Sequence, residues 1–185
     1  LDIAKEFNYK VTTFHHAVEA YKIGDILAEN DTCAAMWADW YGFKMESYDG
    51  IRENVPFVHA AGACAMIHAD GDNNLQRLNQ EVAKTWADGN RAGLNISKAE
   101  AWQWLSTNPA KALGILEETG TLEVGKRADI VVLDKTTGRV AATFVAGRVS
   151  FMSGAIAERF AVWPQSRMIW FTWPILRPGL ASALP

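Results

Sequence analysis

PFVHAAGACAMIHADGDNN, Pro56 to Asn74, is the stretch on which the reading of the fold turns. Pro56–Ala61 has the look of a short helix, closed by Gly62, a residue that accepts the left-handed conformation at a helix end. The apolar run Ala63–Ile67 has the length of a buried strand. It leads directly into His68, Ala69, Asp70 and Gly71, followed by a loop of Asp and Asn. This strand therefore carries its polar groups at its carboxyl end, which is where chemistry collects in parallel α/β folds.

The same texture recurs on both sides. Leu1–Phe7 reads as the end of a helix, with a turn at Asn8 and Tyr9. Lys10–Phe14 is a short β-rich run ending at His15-His16, and Thr32–Trp37 is a second strand. Between them, AVEAYKIGDILAEN puts Val18, Tyr21, Ile26 and Leu27 roughly on one helical face. Leu75–Asp88 is an amphipathic helix ending at Gly89. Strands alternating with helices imply right-handed βαβ units and a parallel sheet. Three such units are too few to close an eight-stranded barrel, so they read as the last third of a larger fold. The opening LDIAKEF, without a Met, suggests in the same way that residues precede Leu1.

Beyond Asn95 the signals are mostly local. Ser97 and Glu100 form a capping box for a helix from Lys98 to about Leu105. Pro109 suits the first turn of a further helix, with Asn108 as its cap. After Gly120 the texture turns β-rich: Gly125-Lys126 is a turn, ADIVVLD a strand, and VAATFVAGRV strand again with a turn at Ala146-Gly147.

Bulk composition excludes several classes. Hydrophobic residues make up 49% of the chain and charged residues 21%. Such a balance is that of a packed globular protein. The net charge of -3 and the lack of a basic run give no nucleic-acid surface. The apolar run Met168–Leu176 contains a proline and is far shorter than the ~20 residues of a membrane span. Cys33 and Cys64 lie in apolar surroundings without a CxxC pattern and read as two core thiols.

Side chains at i and i+2 of a strand share a face, so the spacing of His68 and Asp70 lets both reach one site. Histidine with carboxylate suits zinc and related ions. A hydrogen-bonded structural histidine and a turn-forming Asp before Gly would fit the same residues. His15 and His16 cannot face the same way on a regular strand, and periodicity does not choose between them. The aromatic segment Trp37–Tyr48 either lines a pocket or caps the core. Glu46 and Asp49 read as solvated loop acids.

Three stretches together resemble the carboxyl-terminal part of the amidohydrolase superfamily, in its imidazolonepropionase-like branch. HAVEAYKIGDILA resembles the family's sixth-strand histidine and the helix after it, and HADGDNNLQRLNQEVAK the eighth-strand aspartate and its helix. TNPAKALGILEETGTLEVGKRADIVVLD is similar to the segment where the chain leaves the barrel for a small β-sandwich. The likeness runs from about Phe7 to Asp134. It implies the carboxyl-terminal portion of a (β/α)8 TIM-type barrel over 1–117 and β-sandwich strands over 118–150. The tail over 151–185 departs from the family pattern and is expected to be poorly ordered. The likeness also implies one or two divalent metals, often zinc. The family pattern selects His16 as a metal ligand. It makes Asp70 both ligand and the base that accepts the proton of the attacking water, and sets His68 where it could touch substrate.

The implied activity is hydrolysis of a C–N bond in a small amide, cyclic amide or peptide-like substrate, with deamination as a close variant. A non-catalytic α/β binding domain is the alternative from another class. The family's first-strand HxH pair, fourth-strand lysine or acid and fifth-strand histidine have no counterpart in these residues. The amino-terminal half of the barrel is thus the first expected partner, and a second copy of the chain another. The chain by itself is expected to be inactive. The compartment is left open, cytoplasmic or, with an upstream leader, exported.

Overall fold

A computed structural model describes residues 1–42 and 44–161. They form two units, Leu1–Thr121 and one that begins at Leu122. In the first unit, α1 (Asp2–Glu6) precedes the two-residue strand β1 (Thr13–Phe14). A 3₁₀ turn, Ala20–Ile23, runs into α2 (Gly24–Glu29), then β2 (Cys33–Met36), α3 (Asn54–Ala60) and β3 (Cys64–Ile67). Next come α4 (Asp72–Leu75), α5 (Leu78–Arg91), α6 (Lys98–Gln103) and α7 (Thr107–Ala112). The three strands make one parallel sheet in the order β1-β2-β3. The expected alternation of strand and helix is present.

The two faces of this sheet have different surroundings. Ala34 and Met36 of β2 and Ala65 and Ile67 of β3 pack on the helices, in a core with Leu27, Val55, Val58 and Trp104. Cys33, Ala35 and Met66 are buried on the opposite face, with Cys64 and Ala112 against them. Residues one position beyond the strands, Trp37 and His68, continue the second series. The outer edge of β3 is covered: Trp104 C=O accepts from Ile67 N–H (3.2 Å), and Asn108 Nδ2 donates to Ala65 C=O (2.7 Å). A covered edge offers no template for unwanted pairing.

Several local expectations change once packing is in view. Cys33 and Cys64 are not thiols but a disulfide, with Cα atoms 4.4 Å apart. The parallel register sets them directly opposite each other, on one face of neighbouring strands. Gly89 does not end its helix, because α5 continues to Arg91. A side chain at Gly89 would meet Pro56 of α3 at 2.6 Å, so the glycine serves close helix packing instead. The helix expected over 75–88 is split at Gln76-Arg77 into α4 and α5. Asn108 does not cap α7, which starts at Thr107 after Ser106; its side chain covers β3 instead.

Other expectations hold. Gly62, at φ +83°, follows α3. Ser97 and Glu100 form the capping box: Ser97 Oγ accepts from Glu100 N–H (3.2 Å), and Glu100 Oε2 from Ser97 N–H (2.8 Å).

The second unit is an antiparallel sheet of β4 (Ile130–Leu133), β5 (Val140–Val145) and β6 (Arg148–Met152). Ala146 and Gly147 join β5 to β6, both with positive φ, 49° and 78°. A two-residue hairpin turn requires that conformation at both positions. Within the tail set apart over 151–185, residues 151 and 152 finish β6, and α8 covers Gly154–Ala161. The stretch 162–185 lies outside the described residues.

Candidate functional site

His15 and His16 follow β1, Trp37 follows β2, and His68 and Asp70 follow β3. The parallel sheet thus brings three strand ends together at one place. His15, His16, His68 and Asp70 each offer a donor atom, and all four atoms lie within 4.8 Å of one another. His16 Nε2 is 2.9 Å from Asp70 Oδ1, and His68 Nδ1 is 3.4 Å from the same oxygen. The His15 ring centroid lies 4.6 Å from that of His16 and 4.3 Å from that of His68. His16 and His68, parallel within 10°, stand 5.4 Å apart.

Both histidines of the His15-His16 pair take part because the strand is not regular there. β1 stops at Phe14, and His16 has φ +57°, in the left-handed region. That turn brings the two neighbouring rings onto the same side. A non-glycine residue held at positive φ marks a place where the surroundings dictate the backbone. Asn54, missed in the sequence, is part of those surroundings. It is 3% exposed, accepts from Tyr21 N–H through Oδ1 (2.8 Å), and donates through Nδ2 to the carbonyls of Ala17 and Val18 (both 2.9 Å). One buried amide on α3 therefore fixes the chain just after His16. An Asn followed by helix has no sequence signature that would have singled it out.

His68 tests whether the residues suit a metal. Its side chain is 12% exposed, and neither ring nitrogen has a hydrogen-bond partner. A buried imidazole in that state loses its water without compensation. Burial, with a further push from His15, lowers its pKa to about 4. It is thus neutral near pH 7, the form in which imidazole coordinates metal. Three imidazoles and one carboxylate form a donor set that suits zinc and related divalent ions. A cation among these groups would engage the lone pair of one ring nitrogen of His68.

Glu46 and Asp49 stand apart from the cluster. Glu46 pairs with Lys44 (2.9 Å), Asp49 with Lys22 (3.1 Å), and both are exposed. The aromatic segment does line a cleft. Trp37, 7% exposed, lies 4.8 Å from the His16 and His68 rings and stacks on Trp40 at 5.4 Å. Val18, Tyr41, Gly50, Ile51 and Asn54 complete the cleft. No helix among the described residues is long and apolar enough to cross a membrane.

The family model of the amidohydrolase family matches residues 41–150. The amidohydrolase tasK of Hapsidospora irregularis is 30% identical over 139 residues, which are 72% of this chain and 14% of that protein. An amidohydrolase from Thermotoga maritima superposes with a TM-score of 0.70 at 25% identity, over 82% of this chain and 39% of its own. An adenosine deaminase from Xanthomonas campestris, solved with bound zinc, gives a TM-score of 0.60 at 19% identity, over 82% and 42%. The chain thus spans a small part of its curated relative and about two fifths of these solved chains.

Proposed function

Because this chain belongs to the amidohydrolase family, we propose that it carries one side of the active site of a metal-dependent hydrolase of C–N bonds, its three parallel strands being consecutive staves of a (β/α)8 barrel. The antiparallel sheet would be part of the accompanying β-sandwich. The observation that carries this reading is the convergence of His15, His16, His68 and Asp70 at the carboxyl ends of β1 and β3. His16 and Asp70 are assigned as ligands of a divalent ion, zinc in the first instance. When bound, such an ion acidifies water and polarises a carbonyl.

The rest of the chemistry belongs to the protein. Asp70 Oδ1, held by His16, takes up the proton of the attacking water and passes it to the departing nitrogen. His68, neutral because it is buried, stays able to accept or donate one hydrogen bond to substrate without bringing a charge. Trp37 covers one side of the cluster and limits access of bulk water.

The 185 residues contain no HxH pair. The remaining ligands are therefore assigned to polypeptide outside them, and the chain alone is proposed to be inactive. Such polypeptide has an edge to join, since among the described residues no strand pairs with the outer side of β1.

The test is zinc titration of the purified chain, followed by ammonia or amine release from a panel of N-acyl amides, cyclic amides and aminopurines. Expected are weak zinc uptake, its loss in His16→Asn and Asp70→Asn, and no turnover. Uptake indifferent to both substitutions would remove the ligand assignment. Turnover by the chain alone would remove the need for further ligands, and release confined to the aminopurines would favour a deaminase.

A further inference from the structure

We propose that Asn54 and Thr85 are positioning residues for His16: they form a buried hydrogen-bonded brace, from α5 through the start of α3 to the segment after β1, that holds the His16 imidazole against Asp70. Calling His16 a metal ligand rests on the hydrolase reading above; the placement of its ring does not. The strands alone leave that placement open. The ladder between β1 and β2 ends with Phe14 opposite Ala34, and His16 then turns at φ +57°. A residue with a Cβ leaves that region for ordinary backbone unless its surroundings hold it. The chain touches the sheet once more, where Ala17 N–H donates to Ala35 C=O (3.1 Å). From there Asn54 takes over. Its amide offers an acceptor and two donors on a short stem, and it uses both kinds, on Tyr21 N–H and on the carbonyls of Ala17 and Val18.

Asn54 is itself held in place. Two residues before it, Arg52 C=O accepts from Thr85 Oγ1 (3.1 Å), and Thr85 is fully buried on α5. A threonine inside a helix can bond a carbonyl of its own preceding turn; Thr85 bonds the chain entering α3 instead. Gly89 makes this approach possible, because a Cβ there would stand 2.6 Å from Pro56 Cβ, two residues beyond Asn54. The brace therefore joins the segments that follow all three strands. His16 comes after β1, Arg52 and Asn54 come after β2, and Thr85 lies on the helix that follows β3 and Asp70. The contact of His16 Nε2 with Asp70 Oδ1 (2.9 Å) closes the circle. Groups that orient a ligand set the affinity of the site they support, so the brace should govern how well these two residues hold an ion.

The test uses cobalt(II), whose absorption bands report ligand geometry as well as affinity, titrated into the chelator-treated chain. Asn54→Ala is expected to bind it ~10-fold more weakly than the wild type, as when a group that orients a ligand is removed. Thr85→Val keeps the side-chain shape and loses the hydroxyl; a ~3-fold loss is expected, the worth of a single net hydrogen bond. Thr85→Ser, which restores the hydroxyl, should recover wild-type affinity. His59→Gln is the control: it disturbs the other end of α3, where His59 accepts from Trp104, and should leave cobalt binding unchanged. Circular dichroism verifies folding, and should Asn54→Ala fail to fold, the Thr85 pair decides. Wild-type affinity and bands in Asn54→Ala and Thr85→Val overturn the brace, as does an equal loss in His59→Gln, which would make the effect one of general stability. Where these variants bind normally but His16→Asn does not, the brace falls and the ligand assignment stands. Should the wild type take up no cobalt, the ligand assignment falls instead, and proton NMR decides the brace. The contact between the His16 and Trp37 rings, 4.8 Å apart, is then expected to vanish in Asn54→Ala and weaken in Thr85→Val, and its persistence in both overturns the brace.

Discussion

Asn54, itself buried, makes three partly buried hydrogen bonds to the segment that follows His16. Asn54→Ala leaves one backbone N–H and two carbonyls without these partners, and is expected to cost about 2–4 kcal/mol by urea denaturation. A loss below about 1 kcal/mol would show that water replaces the amide. His16 presents a separate constraint, its φ of +57°. Asparagine tolerates that region and β-branched residues do not. His16→Val should therefore be less stable than His16→Asn by about 1–2 kcal/mol, although both lack the imidazole. Equal stabilities would mean that the backbone relaxes when the ring is removed.

The disulfide is the feature of the sheet with the largest calculable effect. It joins β2 to β3 across 31 residues of sequence and lies on the sheet face that leads to Trp37 and His68. Closing a loop of that size restricts the unfolded chain by roughly 3–4 kcal/mol. The denaturation midpoint under reducing conditions should fall accordingly, and a Cys33→Ala, Cys64→Ala double variant should match the reduced protein. If reductant moved the wild-type midpoint but left it well above that of the double variant, the two sulfurs would be contributing packing as well as a crosslink. At the junction of α3 and α6, Trp104 is fully buried and donates from Nε1 to His59 Nδ1 (3.3 Å). His59 must stay unprotonated at Nδ1 to accept, and burial lowers its pKa.

Over the whole of the first unit, acid acts on several groups in the same direction, among them His59, His68 (lowered from 6.5 to about 4) and Asp31. The folded pKa of His59 lies below 6.5. The unfolded chain therefore binds more protons in the interval between the two values, and stability falls as pH drops below about 6.5. Asp31 ties Lys10 (2.6 Å) to Lys111 (2.5 Å), joining the start of the chain to α7, and these two partners lower its pKa from 3.8 to about 2. Its contribution is complete above 3.8 and is lost as pH falls toward 2, though such exposed pairs are weak. The expected melting profile is flat from pH 8 to 7 and declines in two stages below 6.5. His59→Gln should reduce the upper stage only in part, since an amide in its place does not titrate while His68 still takes up a proton in that interval. A wild-type profile that stays level down to pH 5 would show that neither His59 nor His68 governs it.

What the sequence determined by itself was local. The capping box at Ser97 and Glu100, the glycine after α3, and the apolar runs of the three strands all depend on neighbours a few residues away, so periodicity and turn chemistry expose them. The His15-His16 pair, His68 and Asp70 were legible as strand-end groups; spacing suggested that His68 and Asp70 could meet, while His16 was singled out by the family resemblance alone. The tertiary structure decided what depends on register and approach. It made Cys33 and Cys64 opposite one another, placed Gly89 against Pro56, turned His15 into the same cluster as His16, and gave Asn54 and Asn108 backbone partners tens of residues away. Those choices follow from how one strand is set beside the next and how closely two helices can come. No pattern within a single segment carries that information.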